Sequence, residues 1–409
     1  MRIEDYTPKH NALASLDLQV ETLETRAQNT LSGAKYVIRY SHELQKLVAL
    51  PTHLTIESPF SHALDYGSGA FEGLSAMLNE RTGVPHIILL QARSQRMFDR
   101  TLPSIGYSSP ITLPDFKQSI TDLIAIHGDS IFYLPDQPSK STRVYIRPTI
   151  HPASLTGYGL GISKDCPIDL GIVAWTWPDY LNPKIFAEGG IAAVTGAQRL
   201  QKIVGKHASN YGWQTVTHSK LARSLGADEL FYLAPYYLDE NKQLTYDDPN
   251  DFEMKLKYGT LCDGPGEECF AIDKDQKKFV YPPMRTNRLS GTTLQYVIDH
   301  MAINVGLIPE ERDITLHDIR NHKYAALGMI GNAVKIAPIR QLQIFREKSL
   351  VDATELFSPG DMPEKLAQLI YRWDQETRGL IDPSHDSLLT PVDLVRGKQI
   401  RRALDNIFT

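Results

Sequence analysis

The sequence predicts a two-domain protein of mixed α/β (α+β) class, and three observations lead there. A chain of 409 residues exceeds what one hydrophobic core ordinarily serves, so two globular domains are expected. Short apolar runs of strand character are interspersed with stretches whose apolar residues recur every three or four positions, so neither an all-helical nor an all-strand chain fits. Residues 151–190 are rich in Gly and Pro and break both patterns, which marks a boundary. The expected partition is a smaller N-terminal α/β domain with an N-terminal extension over 1–177, a linker over 178–189, and a larger C-terminal domain over 190–409.

The elements follow in order. YVIRY (36–40), LVAL (47–50), HIILL (86–90) and RVYIRPTI (143–150) read as strands because β-branched and aromatic residues dominate them. The stretch from Ser94 starts helically, and LPDFKQSITDLIAIHG places Leu113, Phe116, Ile120, Leu123 and Ile124 on one helical face before a stop at Gly128. An apolar run at 170–175 precedes WPDYLNP, where the linker is set. Beyond it come a strand-like stretch, a helix over about 208–225 and a strand over 229–233. The acidic insertion, 236–261, carries six acids and one lysine within residues 239–253 and is expected to be a solvated loop. ECFAID and KFVYP form a hairpin, GTT opens a helix, and EKLAQLIYRWDQETRG is amphipathic, followed by a polar tail.

Composition narrows the function. Apolar residues at 42% and charged residues at 22% describe an ordered protein, and a formal charge of −5 argues against nucleic-acid binding. Cys166, Cys262 and Cys269 match neither a disulfide framework nor a zinc site, so no metal is expected. The first 26 residues have no continuous apolar run, so a cytoplasmic protein without membrane association is expected. No Walker loop or HExxH occurs, and GSGAFEG from Gly67 has the wrong spacing for a dinucleotide turn.

Seven separated segments carry a more specific signal: ALDYGSGAFEGLSAM from Ala63, RVYIRPTI from Arg143, WTWPDYL from Trp175, GKHASNY from Gly205, CDGPGEECFAI from Cys262, RLSGTTLQYVI from Arg288 and GMIGNAVKIAPIR from Gly328. Together, and in this order, they resemble the fold-type IV (D-amino acid aminotransferase-like) pyridoxal 5'-phosphate enzymes, most closely the branched-chain aminotransferases. The resemblance implies a two-domain homodimer with its cofactor, pyridoxal 5'-phosphate (PLP), between the domains. It makes Lys206 the Schiff-base lysine, since the pattern places Asn210 and Tyr211 after it, whereas Lys202 fails the spacing. An amine is the required nucleophile there. Tyr211 would meet the cofactor's phenolic oxygen, and Asp263 would keep the ring nitrogen protonated in place of the family's glutamate, with Glu267 in reserve.

The phosphate would lie against Gly291, Thr292 and Thr293 and against Gly331 and Asn332. One departure stands out. The strand arginine of the family falls on Leu89 here, and a variant spacing falls on His86, a substitute that lacks a permanent charge. Weakened phosphate binding is therefore expected; tight, pH-independent binding would instead point to Arg93 or Arg96 as the cation that carries the phosphate. Tyr66, Phe71, Tyr145, Arg147 and Tyr180 would face the substrate, with aromatic walls for an apolar side chain and an arginine for a carboxylate. Taken alone, each residue also has an ordinary reading: a surface lysine, a core tyrosine, a helix cap, a structural ion pair. The implied activity is transfer of an amino group from an amino acid to a 2-oxo acid. A specialised lyase or other biosynthetic step on the same cofactor, and a non-catalytic ligand-binding member, are the alternatives.

Overall fold

The strand Val144–Pro152 shows how the sequence builds the first half. Val144, Ile146, Pro148 and Ile150 point into a core, while Tyr145 and Arg147 share the opposite face, as the two-residue period of a strand requires. The computed structural model describes residues 34–41, 44–52, 67–134, 136–152, 167–198, 205–239, 241–246 and 252–408. Within these, Val144–Pro152 lies antiparallel to Ile168–Thr176 on one side and to Leu74–Leu78 on the other, near the centre of an eight-stranded sheet. The two-residue strand Ala70–Phe71 adds to Val144–Pro152, and Phe71 opposes Thr149.

One face of this sheet is covered by the helix Leu113–His127, capped by Thr112, whose side chain accepts from the Asp115 amide, and ended by Gly128 at φ 63°. Phe116, Ile120, Leu123 and Ile124 are its buried stripe. The chain end also belongs here, which corrects two expectations. Leu389–Pro391 is an edge strand against Pro85–Ile88, and the residues read as a polar tail form the helix Leu394–Phe408, with Val392 and Leu404 in the first core. Gly397 permits the close crossing, because an added Cβ would stand 2.2 Å from the Ala125 carbonyl oxygen. The C-terminal unit therefore does not run unbroken from 190 to 409.

A second eight-stranded sheet is mixed. Gly190–Val194 runs parallel to Glu229–Leu230 and Lys335–Arg346, and Lys335–Arg346 returns antiparallel to Tyr324–Gly331. The sheet continues through Glu268–Asp273, Lys278–Tyr281 and Ile308–Glu311. Glu268–Asp273 and Lys278–Tyr281 form the expected hairpin. A third core joins the halves: Ile88 and Leu89 from the first pack with Leu294, Val297 and Trp373.

Three elements differ from expectation. HIILL stops at Ile88 because Leu89 takes a left-handed φ of 55°, and the helix Leu90–Arg96 starts at once. The helix expected over 208–225 is two, Ala208–Tyr211 and Trp213–Ser224, divided at Gly212. The acidic insertion is more than a loop: Leu233–Leu238, Leu244–Tyr246 and Gly259–Leu261 form a small antiparallel sheet, joined by the helix Phe252–Tyr258. Asp239 holds its hairpin turn, accepting from the amides of Asn241 and Gln243.

Candidate active site

Between the two sheets lies a cavity of about 290 Å³. Lys206 enters it from a segment stitched to the first sheet: its carbonyl accepts from the Phe71 amide at 3.2 Å, and its amide donates to Thr101 Oγ1 at 3.1 Å. Gly205 allows this approach, since a Cβ there would lie 2.4 Å from the Thr101 Cα. The Nζ stands 4.5 Å from the Tyr211 ring centre and 5.0 Å from that of Phe71. Burial pulls its pKa down to about 7; Glu72 opposes this, while Arg96, Arg147 and Arg93 add to it.

Acids line the cavity at the turn leading into Glu268–Asp273. Asp263 is fully buried, with Oδ2 accepting from the Leu289 amide at 3.2 Å. Its neighbour Glu268 pairs with Arg288 at 2.7 Å, yet burial still raises Glu268 to about 7, against the effect of Arg288. Glu267 lines the same wall, its Oε2 accepting from the Gly266 amide.

Cations line it as well. Arg96 and Glu72 form a buried two-pronged ion pair, both bonds 2.8 Å. Arg93 is 2% exposed; it donates to the Gly73 carbonyl and, at 3.1 Å, to Thr293 Oγ1. Burial, then Arg96, draws its pKa down to about 9, with Glu72 opposing. Gly291, Thr292, Thr293, Gly331 and Asn332 complete the lining. Arg143 secures the last turn by donating to the carbonyls of Asn332 at 2.6 Å and Ala333 at 3.1 Å.

Above Lys206 stands an aromatic wall with an arginine in it. Pairing sets Tyr145 opposite Trp175, with ring centres 4.8 Å apart, and Trp177 meets Tyr145 edge-on at 4.6 Å. Arg147 donates to the Tyr145 hydroxyl at 2.7 Å and lies 4.5 Å over the Phe71 ring. Tyr180 donates to the buried Glu229 at 3.1 Å, and burial pushes its hydroxyl well above the usual range.

No family model matches the chain. It is 26% identical over 288 residues to the branched-chain-amino-acid aminotransferase of Escherichia coli K12, covering 69% of this chain and 78% of that protein. Among solved structures it superposes on the branched-chain aminotransferase of Thermoproteus uzoniensis crystallised with norvaline, with a TM-score of 0.66, 20% identity, and coverage of 88% of this chain and 100% of that one. It also superposes on the branched-chain aminotransferase of Thermobaculum terrenum in its PLP form, at TM-score 0.66 and 17% identity, covering 88% and 99% of the two chains. The chain has the fold-type IV fold of the branched-chain aminotransferases.

Against what that likeness implies, the structure gathers Lys206, Tyr211, Asp263, Gly291, Thr292, Thr293, Gly331 and Asn332 around one cavity, along with Phe71, Tyr145, Arg147 and Tyr180. Tyr66 lies outside the described residues. His86 is a correction. It does not line the cavity: its Nε2 meets the Thr377 carbonyl at 2.7 Å, and burial lowers its pKa, so it is a neutral structural histidine. Leu89, at the branched-chain aminotransferase arginine position, is likewise turned into the third core.

The sequence pointed to Arg93 or Arg96 only as a fallback cation for the phosphate, and it gave no role to Trp177 or Glu72. A signal for the arginines was present, since Arg93 and Arg96 lie three apart and share a helical face. Glu72 had none, because its partner is 24 residues away. Among the described residues, no helix is long and apolar enough to cross a membrane.

Proposed function

We propose that this chain is a PLP-dependent aminotransferase that moves the amino group of an amino acid to a 2-oxo acid. The observation carrying this reading is a lysine of pKa about 7 in a cavity lined by both buried carboxylates and buried cations. Such a lining suits a cofactor that bears both a basic ring nitrogen and a phosphate. Buried polar atoms without hydrogen-bond partners, Asn332 Nδ2, Arg93 Nε and Arg147 Nε, belong to residues lining the same cavity, and at Gly291 a side chain would collide with Glu268. These residues fit the cofactor.

When bound, PLP supplies an aldehyde for condensation with amines and a protonated ring that draws electrons from the substrate's α-carbon. The chain's own residues do the rest. Lys206 Nζ, uncharged in a large fraction of molecules near neutrality, serves as the amine that anchors the cofactor and then as the base and acid that moves the α-proton. Asp263 holds a proton at the ring nitrogen, with its own carboxylate steadied by the Leu289 amide. Tyr145, Trp177 and Phe71 exclude water from the substrate side, and Arg147 offers a charged donor to a carboxylate.

Purified protein supplied with PLP is expected to absorb in the visible, lose that band on borohydride treatment, and carry the pyridoxyl mass on the peptide containing Lys206. Labelling at another lysine, or none with cofactor in excess, overturns the reading. Product formation that needs no 2-oxo acid acceptor would instead indicate a lyase.

A further inference from the structure

One helical turn beyond the position where the resemblance expects a strand arginine stands another arginine. Leu89 ends its strand in the left-handed region and buries its side chain, so no cation projects from the position where the resemblance expects one. Arg93, four residues later on the helix Leu90–Arg96, reaches the cavity instead. Its hydrogen bonds go to a carbonyl and a hydroxyl rather than to a carboxylate, and the neighbouring carboxylate, Glu72, is engaged at both oxygens by Arg96. Its Nε is buried without a partner. A buried guanidinium bonded only to neutral groups calls for an anion.

Asn332 supplies a second incomplete group on the same cavity. Its Oδ1 accepts from Ser75 Oγ at 2.9 Å, and its Nδ2 is left buried with no partner. Arg143 pins the backbone beneath it. We infer that Arg93 and Asn332 together form the phosphate anchor of this chain, with the charge supplied from the helix and a neutral amide donor, held beside Ser75, completing it. Arg93 also bonds Gly73, two residues from Phe71, so the same guanidinium ties the anchor to the loop that walls the substrate side. The inference rests on the PLP reading above and replaces the expectation of weak phosphate binding.

Binding of PLP and of pyridoxal, which lacks the phosphate, separates an anchor from a structural arginine. Both dissociation constants would be measured by absorbance and fluorescence for wild type, Arg93→Gln, Arg93→Lys and Asn332→Asp, with circular dichroism as the folding control. Arg93→Gln should weaken PLP on the order of 10- to 100-fold, the size of a charge-assisted bond, and leave pyridoxal unchanged. Asn332→Asp, which sets a carboxylate against the phosphate, should do the same, and Arg93→Lys should lose less. Should Arg93→Gln fail to fold, a selective loss of PLP over pyridoxal in Arg93→Lys carries the test. Equal losses for both ligands, or undiminished PLP affinity in the folded variants, overturns the anchor. Wild type that binds neither ligand overturns the PLP reading itself, and the anchor with it.

Discussion

Lys206 has its pKa lowered to about 7 from 10.5, so between those values the folded chain gives up a proton that the unfolded chain keeps. Apoprotein stability should accordingly rise with pH across that window, because the unfolded state binds more protons there. The same neutral fraction sets how fast the amine captures an aldehyde, so cofactor uptake should climb with pH and level off above about 7. Glu72 is the group that holds this pKa up. Glu72→Gln should move the uptake midpoint to lower pH, and leaving Arg96 unpaired should cost about 3–5 kcal/mol of stability. Stopped-flow absorbance across pH and urea denaturation check the two effects; an unmoved midpoint would show that Glu72 does not reach Lys206.

Among the elements, the helix beginning at Thr292 is the one whose start is set by an absent side chain. Gly291 is its cap, and a Cβ there would fall 1.3 Å from Glu268 Oε2, an atom that cannot move aside freely because Glu268 is buried and paired with Arg288. Gly291→Ala must either push Glu268 off Arg288 or shift the first helical turn. The expected cost is about 3–5 kcal/mol, the range for breaking a buried ion pair, read as a fall in melting temperature together with weaker PLP binding. The strand ending at Ile88 teaches a related point. HIILL reads as five strand residues, but the left-handed turn at Leu89 redirects the chain, and that redirection is what brings Arg93 to the cavity.

At the scale of the whole molecule, the chain end closes the first domain. Removing residues 389–409 would strip the edge strand from Pro85–Ile88 and expose the face of Leu113–His127 that Leu404 covers. Losing several buried apolar side chains costs about 2–5 kcal/mol each where they are well packed, so the truncated chain should melt markedly lower and bind ANS. The Arg396–Asp122 pair, which joins Leu394–Phe408 to Leu113–His127, is partly exposed, and Asp122→Ala should change stability by no more than about 1 kcal/mol. A truncated chain that melts like the full one would show that the helix is an appendage.

The sequence by itself determined the elements whose signals are local: the stripe of Leu113–His127 and its glycine stop, the strand Val144–Pro152, the hairpin at Glu268–Asp273, and the lysine segment identified by its neighbours. It also carried enough ordered motifs to name most of the residues that gather at the cavity. Tertiary structure alone decided the rest. His86 and Arg93 are seven residues apart, and composition does not say which one reaches an anion; the backbone turn at Leu89 sends one toward Thr377 and the other to Thr293. Glu72 has a role only because Arg96 folds back over it, and the helix Leu394–Phe408 has a place only because the first sheet leaves a face for it. Contacts between residues far apart in the chain depend on the path between them, and that path is a property of the packed whole.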